Sequence, residues 1–125
     1  MATVQFGKPP GGAKNVRVNP TEYAERVQMA CPSGALGAVL TADKRSKIEK
    51  ILLVETNNVA ATVDIKLAPL GAADAAAHFL FQDVPVAAKE TVVIEGPFHM
   101  LPTDVLRMLA TTANVSVHVS YLEQI

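Results

Sequence analysis

The sequence predicts an all-β protein, an antiparallel β-sandwich or jelly roll with an extended N-terminal arm. Two stretches carry most of that expectation. In VAATVDIKLA (residues 59–68) every second side chain is apolar, from Val59 through Ala61, Val63 and Ile65 to Leu67. That is the period of a strand with one buried and one wet face. In VSVHVSY, Val115, Val117, Val119 and Tyr121 repeat the pattern. Turn-forming residues also recur about every ten positions, which suits roughly seven or eight short antiparallel strands.

At 125 residues and 13.2 kDa the chain is read as one packed domain plus an arm. A domain of that size buries roughly two-thirds of its unfolded surface. Half of the residues are hydrophobic, as in an ordinary globular protein. Apolar runs such as Ile51-Leu52-Leu53-Val54 fall far short of the about 20 residues a membrane helix needs, so no membrane partner is expected. No apolar leader is seen, and secretion is not expected. Cys31 is the single cysteine, cannot form an internal disulfide, and fits a reducing cytosol.

Charge divides the chain in two. The net charge is −1, yet residues 1–21 hold Lys8, Lys14 and Arg17 without an acid, +3, which leaves −4 on the remainder. Residues 1–21 are therefore read as a basic Pro/Gly-rich arm around Pro9-Pro10-Gly11-Gly12, and residues 22–125 as the sandwich domain. A basic arm on a mildly acidic body either docks on an acidic surface or simply keeps a tail soluble.

Taken in order, NPTEYAERVQMA (19–30) leaves helix and strand open. Asn19, Pro20 and Glu22 can cap a short helix with Tyr23, Val27 and Ala30 on one face, whereas Cys31-Pro32-Ser33-Gly34 stops it within about three turns. Ala35–Thr41 reads as a strand and Ala42-Asp43-Lys44-Arg45 as a turn. Ser46–Thr56 follows as a strand, with a β-bulge expected near Glu49-Lys50 because Ile48 and Ile51 are out of phase. Asn57-Asn58 is read as the turn of a hairpin into residues 59–68. The alanine-rich stretch after Pro69-Leu70-Gly71 is a loop feeding a strand at Phe79–Phe81, and Val84-Pro85-Val86 suits a sheet edge. Thr91–Glu95 forms a strand broken by Gly96-Pro97. Pro102-Thr103-Asp104 opens a further strand, with Val105 and Leu109 set across from Arg107, that turns at 111–114 and forms a hairpin with residues 115–121. A helical stripe through Val105, Leu106, Met108 and Leu109 is the alternative.

Chemistry is sparse. His78 and His118 fall on polar strand faces and His99 in a loop, without His-x-His, His-x3-His or Cys-x2-Cys spacing, so no metal site is expected. Cys31 has neither a neighbouring base nor a helix N-terminus to activate it, and a packed, inert thiol is expected. No nucleotide loop or nucleophile elbow occurs, and no catalytic residue and no cofactor is assigned. Aromatics make up 5% of the chain and tryptophan is absent, which weakens sugar stacking and single-strand nucleic-acid binding alike. Leu52 and Val54 lie opposite Ile51 and Leu53. That strand is apolar on both faces, as a central strand or a subunit contact would be.

The order of these segments resembles small all-β virion structural proteins of tailed bacteriophages. The resemblance rests on KIEKILLVETNNVAATVDIKLAP and on FLFQDVPVAAKETVVIEGPFHMLPTDVLRMLATTANVSVHVSYLEQI. It covers residues 35–125 and lies in the Asn-containing turn, the "VP-V-A" segment, the Thr-Val-Val strand, the Leu-Pro-x-Asp turn and the final V-x-V-S-Y-x-E strand. It implies a capsid decoration (cement) protein of the phage head, made in the host bacterial cytoplasm, that binds the major capsid protein and self-associates as a homotrimer or other oligomer. No direct nucleic-acid or membrane contact is implied. Lys8, Lys14 and Arg17 are the candidate capsid-contact residues, on the charge asymmetry alone. A neck, tail or baseplate component and a host-facing glycan-binding spike module are the alternatives.

Overall fold

A computed structural model describes residues 22–69 and 72–124. The arm with Lys8, Lys14 and Arg17 lies outside the described residues. The strands are β1 (Glu22–Ala30), β2 (Gly37–Thr41), β3 (Ser46–Glu55), β4 (Ala61–Ala68), β5 (Phe79–Val86), β6 (Thr91–Met100), β7 (Val105–Ala110) and β8 (Val115–Gln124). A 3-10 turn at Ala76–His78 precedes β5. The open choice over residues 22–30 is settled as strand, in unbroken antiparallel register with β8 from Glu22↔Gln124 to Ala30↔Ser116.

Two four-stranded antiparallel sheets form, in the orders β1-β8-β3-β6 and β2-β7-β4-β5. The pairs β1·β8, β2·β7, β3·β6 and β4·β5 nest like one long antiparallel ribbon. Rolling the ribbon brings β3 against β8 and β4 against β7. This is the connectivity of a jelly roll.

The pairing corrects both expected hairpins. β3 and β4 lie in different sheets, so Asn57-Asn58 belongs to an arch between sheets. Other connections hold the end of β3: Glu55 N–H donates to the Glu90 carbonyl and Thr56 N–H to that of Asn114, both at 2.9 Å. Likewise β7 and β8 pair with β2/β4 and β1/β3, never with each other. Among the described strands only the β4–β5 connection stays within one sheet.

Bulges keep apolar rows in phase. Against β8, Glu49 is the extra residue between Ile48↔Tyr121 and Lys50↔Ser120, as the sequence predicts. Against β6, Gly96 and Pro97 face that single residue, so β6 runs through the expected break and includes His99. In β2 a bulge between Ala38 and Leu40 lets both Val39 and Leu40 turn inward. Ile48, Ile51 and Leu53 thereby join Val115, Val117 and Val119 against Val63, Ile65, Leu106 and Met108 in one core. Leu106, Met108 and Ala110 form the inward row of β7. Val105 and Leu109 share their parity with Arg107, because strand neighbours two apart point the same way. The VAATVDIKLA alternation holds at Ala61, Val63 and Ile65, all buried, but Val59 stands exposed before the strand. Lys66 and Ala68, expected on the wet face, are buried. Leu52 and Val54 occupy a central strand, half-buried on its outer face.

Gly96 makes the bulge possible. A Cβ there would lie 2.2 Å from the Ile48 carbonyl oxygen and 3.2 Å from that of Glu49. Gly34 has φ +83° and nothing within 4 Å of its Cβ position. Gly96→Ala is expected to lower unfolding free energy by at least about 3 kcal/mol, because packed backbone must move. Gly34→Ala is expected to cost about 1 kcal/mol, from left-handed backbone alone. Urea titrations of the two variants check the difference, and equal losses contradict it.

Candidate functional site

The jelly roll gathers the connections 31–36, 56–60, 87–90 and 111–114 at one end. An apolar groove of about 600 Å³ opens there between the two sheets. Ala61, Pro85, Val86 and Val92 line its apolar part, and Thr62, Glu90 and Thr111 bring polar atoms to it. Its edges are braced by hydrogen bonds. Thr62 N–H donates to Thr111 Oγ1 and Thr111 N–H to the Thr62 carbonyl, each at 3.0 Å. Ala87 N–H donates to Glu90 Oε1 at 2.8 Å, closing the β5–β6 turn. Ala60 also lines the groove, and Val59, the residue before it in the chain, is half exposed. Sequence periodicity hides this groove, because its walls come from segments far apart in the chain.

Glu55 also lies at this end, on the inward side of β3 and 1% exposed. Its Oε1 accepts the Asn57 N–H at 2.6 Å, whereas Oε2 is buried without a partner. The inward phase of Ile51 and Leu53 already points to position 55 as interior. Nothing in the sequence says that a carboxylate there stays buried.

Cys31 is 3% exposed at the start of the β1–β2 connection, with its N–H donating to the Val115 carbonyl at 2.7 Å. Burial pushes its thiol up to about 11. The thiolate is the nucleophile, so this side chain is held in its unreactive form near neutral pH.

The histidines stay apart. His118 sits half-buried on the outer face of its sheet, where its Nδ1 meets Gln28 Nε2 at 2.8 Å. His99 is exposed on β6 rather than in a loop, and borders a small recess with Glu22, Arg45 and Lys47. His78 ends the 3-10 turn, and its Nδ1 is buried without a partner, unlike the solvated side chain expected. Among the described residues no group of three or more His, Cys, Asp or Glu converges on a metal position.

At the opposite end, the β4–β5 connection folds over the outer face of β4. Lys66 is 8% exposed; its Nζ donates to Asp74 and stands 4.3 Å from the Phe79 ring centroid. This polar-face lysine is buried because the connection covers it, which periodicity cannot foresee. The Lys66 hydrogen bond holds the Asp74 carboxyl below the usual carboxylate range, aided by the charges of Lys66, His78 and Arg107 and opposed by desolvation. The arrangement is a structural clasp on the connection.

A scan against protein-family models finds no match, and a search of curated proteins likewise finds none.

Two outcomes follow. The Cys31 thiol is expected to react with a disulfide reagent at pH 8 at least ~100-fold more slowly than an exposed cysteine, until denaturant is added. An immediate reaction of the native protein contradicts this. Because the folded Asp74 pKa lies below its unfolded value, the unfolded chain binds more protons as pH falls below about 4. The clasp therefore stabilises above that range and is lost as pH drops through the folded pKa. Asp74→Asn is expected to flatten the acid limb of a stability–pH curve, and an unchanged limb contradicts the clasp.

Proposed function

We propose that this protein is a structural component of a tailed-phage virion, a capsid decoration (cement) protein bound across junctions of the major capsid protein. The observation that carries the proposal is the apolar groove at the loop end of the jelly roll, lined by Ala60 and next in the chain to the exposed Val59. Supporting it is the resemblance over residues 35–125, whose turns become the sheet-crossing connections of that fold. The groove offers small side chains and a braced backbone, which suits a segment of another protein better than a reacting substrate. The function is non-enzymatic: the protein adds buried area between shell subunits and so opposes outward pressure from packaged DNA. Many copies multiply a modest energy per site. Copies self-associate, and the basic arm with Lys8, Lys14 and Arg17 adds an electrostatic contact to an acidic shell surface.

Quantitative mass spectrometry and imaging of purified virions test the proposal. Hundreds of copies over the head are expected on the order of one per shell junction. A dozen copies confined to neck or tail, or detection solely on fibres, would contradict it. Val59→Asp places a charge beside the groove without touching the core, and is expected to weaken head binding at least ~10-fold with unfolding unchanged.

A further inference from the structure

The four sheet edges are not alike. β5 carries Pro85, Asp83 at φ 54° and two register shifts against β4. β6 carries Pro97 and the Gly96-Pro97 bulge. β2 is five residues long and bulged at Val39. Each of these features blunts an edge against pairing with another chain. β1 has none of them. Its nine residues, EYAERVQMA, contain no Pro, Gly or Lys and keep unbroken register with β8. Among the described residues nothing pairs with its free side. Eight of its nine residues are exposed and Val27 alone is half-buried, because short β2 leaves the inner face of β1 uncovered. Tyr23 is 52% and Met29 37% exposed on that inner face.

The charges on β1 select its partner. Glu22 and Glu25 lie in the first half, Arg26 near the middle, and Gln28, Met29 and Ala30 are uncharged. Beside the first half, Glu123 and Asp43 add negative potential at Tyr121, while Lys47 Nζ pairs with Glu22 at 3.9 Å. A parallel neighbour of the same sequence would set acid beside acid. An antiparallel copy sets the acidic half against the uncharged half.

We propose that β1 pairs antiparallel with β1 of a second copy of this chain across a two-fold axis, joining two sheets into one of eight strands. Centred on Val27, each Arg26 faces the other copy's Gln28 and each Glu25 its Met29. Centred on Gln28, Arg26 faces Ala30 and Val27 faces Met29. No acid faces an acid and no arginine faces an arginine in either register, which cross-strand pairing favours. Seven residues, 24–30, pair in the first register and five, 26–30, in the second, about 23 Å and about 17 Å of strand. Backbone pairing over that length, with Met29 added from the inner face, gives a contact of the small, transient class. An isologous contact closes at two copies, whereas a trimer would need a heterologous one. The inference does not depend on capsid binding.

Sedimentation equilibrium of the full chain tests it. The wild type is expected to sediment at twice 13.2 kDa at tens of micromolar, roughly the range of a small interface. Gln28→Lys places an ammonium opposite Arg26 in one register and opposite its own counterpart in the other. It is expected to raise the dimer dissociation constant at least ~10-fold. Thr91→Lys, on the β6 edge, is expected to leave the mass unchanged. Amide exchange of the wild type gives a readout that needs no variant: protection over residues 24–30 rises with protein concentration. A monomer at every concentration, a mass of three copies, or a Gln28→Lys dimer as tight as the wild type would overturn the inference.

Discussion

The fold depends on keeping the inner row of β3 in phase between two unlike neighbours. Ile48 and Ile51 are three residues apart, so a regular strand could bury one of them only by exposing the other. One extra residue, Glu49, is taken up against β8, and the Gly96-Pro97 pair accommodates it against β6. The result is that Ile48, Ile51 and Leu53 are all fully buried. Each such side chain contributes about 1.5–3 kcal/mol through removal from water. β3 touches β8 and β6 along nearly its whole length, so a lost phase here would expose apolar rows in three strands together. The loop-end groove and the free edge of β1 are both positioned through this sheet.

Side-chain periodicity made the strands legible. Val115, Val117 and Val119 face the core as their alternation requires, and the bulge at Glu49 follows from a spacing of three. Strand partners were much less legible. Asn57-Asn58 has the chemistry of a tight turn, but a reversal within a sheet and an arch between sheets ask for similar residues. What decides between them is long-range: Glu90 and Asn114 hold the end of β3. The same reasoning covers residues 22–30, where capping signals and strand spacing coexist. β8 supplies a complete ladder for that segment, and tertiary pairing overrides local propensity. Gly96-Pro97 looked like a stop because both residues punctuate chains, yet on an edge strand they form the bulge.

The groove and edge were less visible still. Ala60, Val86, Val92 and Thr111 meet only because the connections 56–60, 87–90 and 111–114 share one end of the jelly roll. Lys66 shows the converse. Its polar position is clear from alternation, while its burial depends on a connection folding across it. The weakness of β1 as an edge becomes apparent only when the other three edges are compared. Lys8, Lys14 and Arg17 of the arm lie outside the described residues. The Cys31 thiol, buried at the same end as the groove, is held protonated.

Nuclear Overhauser contacts between strand backbones test the nested pairing most directly. Close Cα proton contacts are expected for adjacent ladder positions of β3 with β8, around Ile51 and Val119, and of β4 with β7, around Ile65 and Met108. A ladder joining β3 to β4 across Asn57-Asn58, or β7 to β8 across residues 111–114, would contradict the rolled ribbon and everything positioned by it.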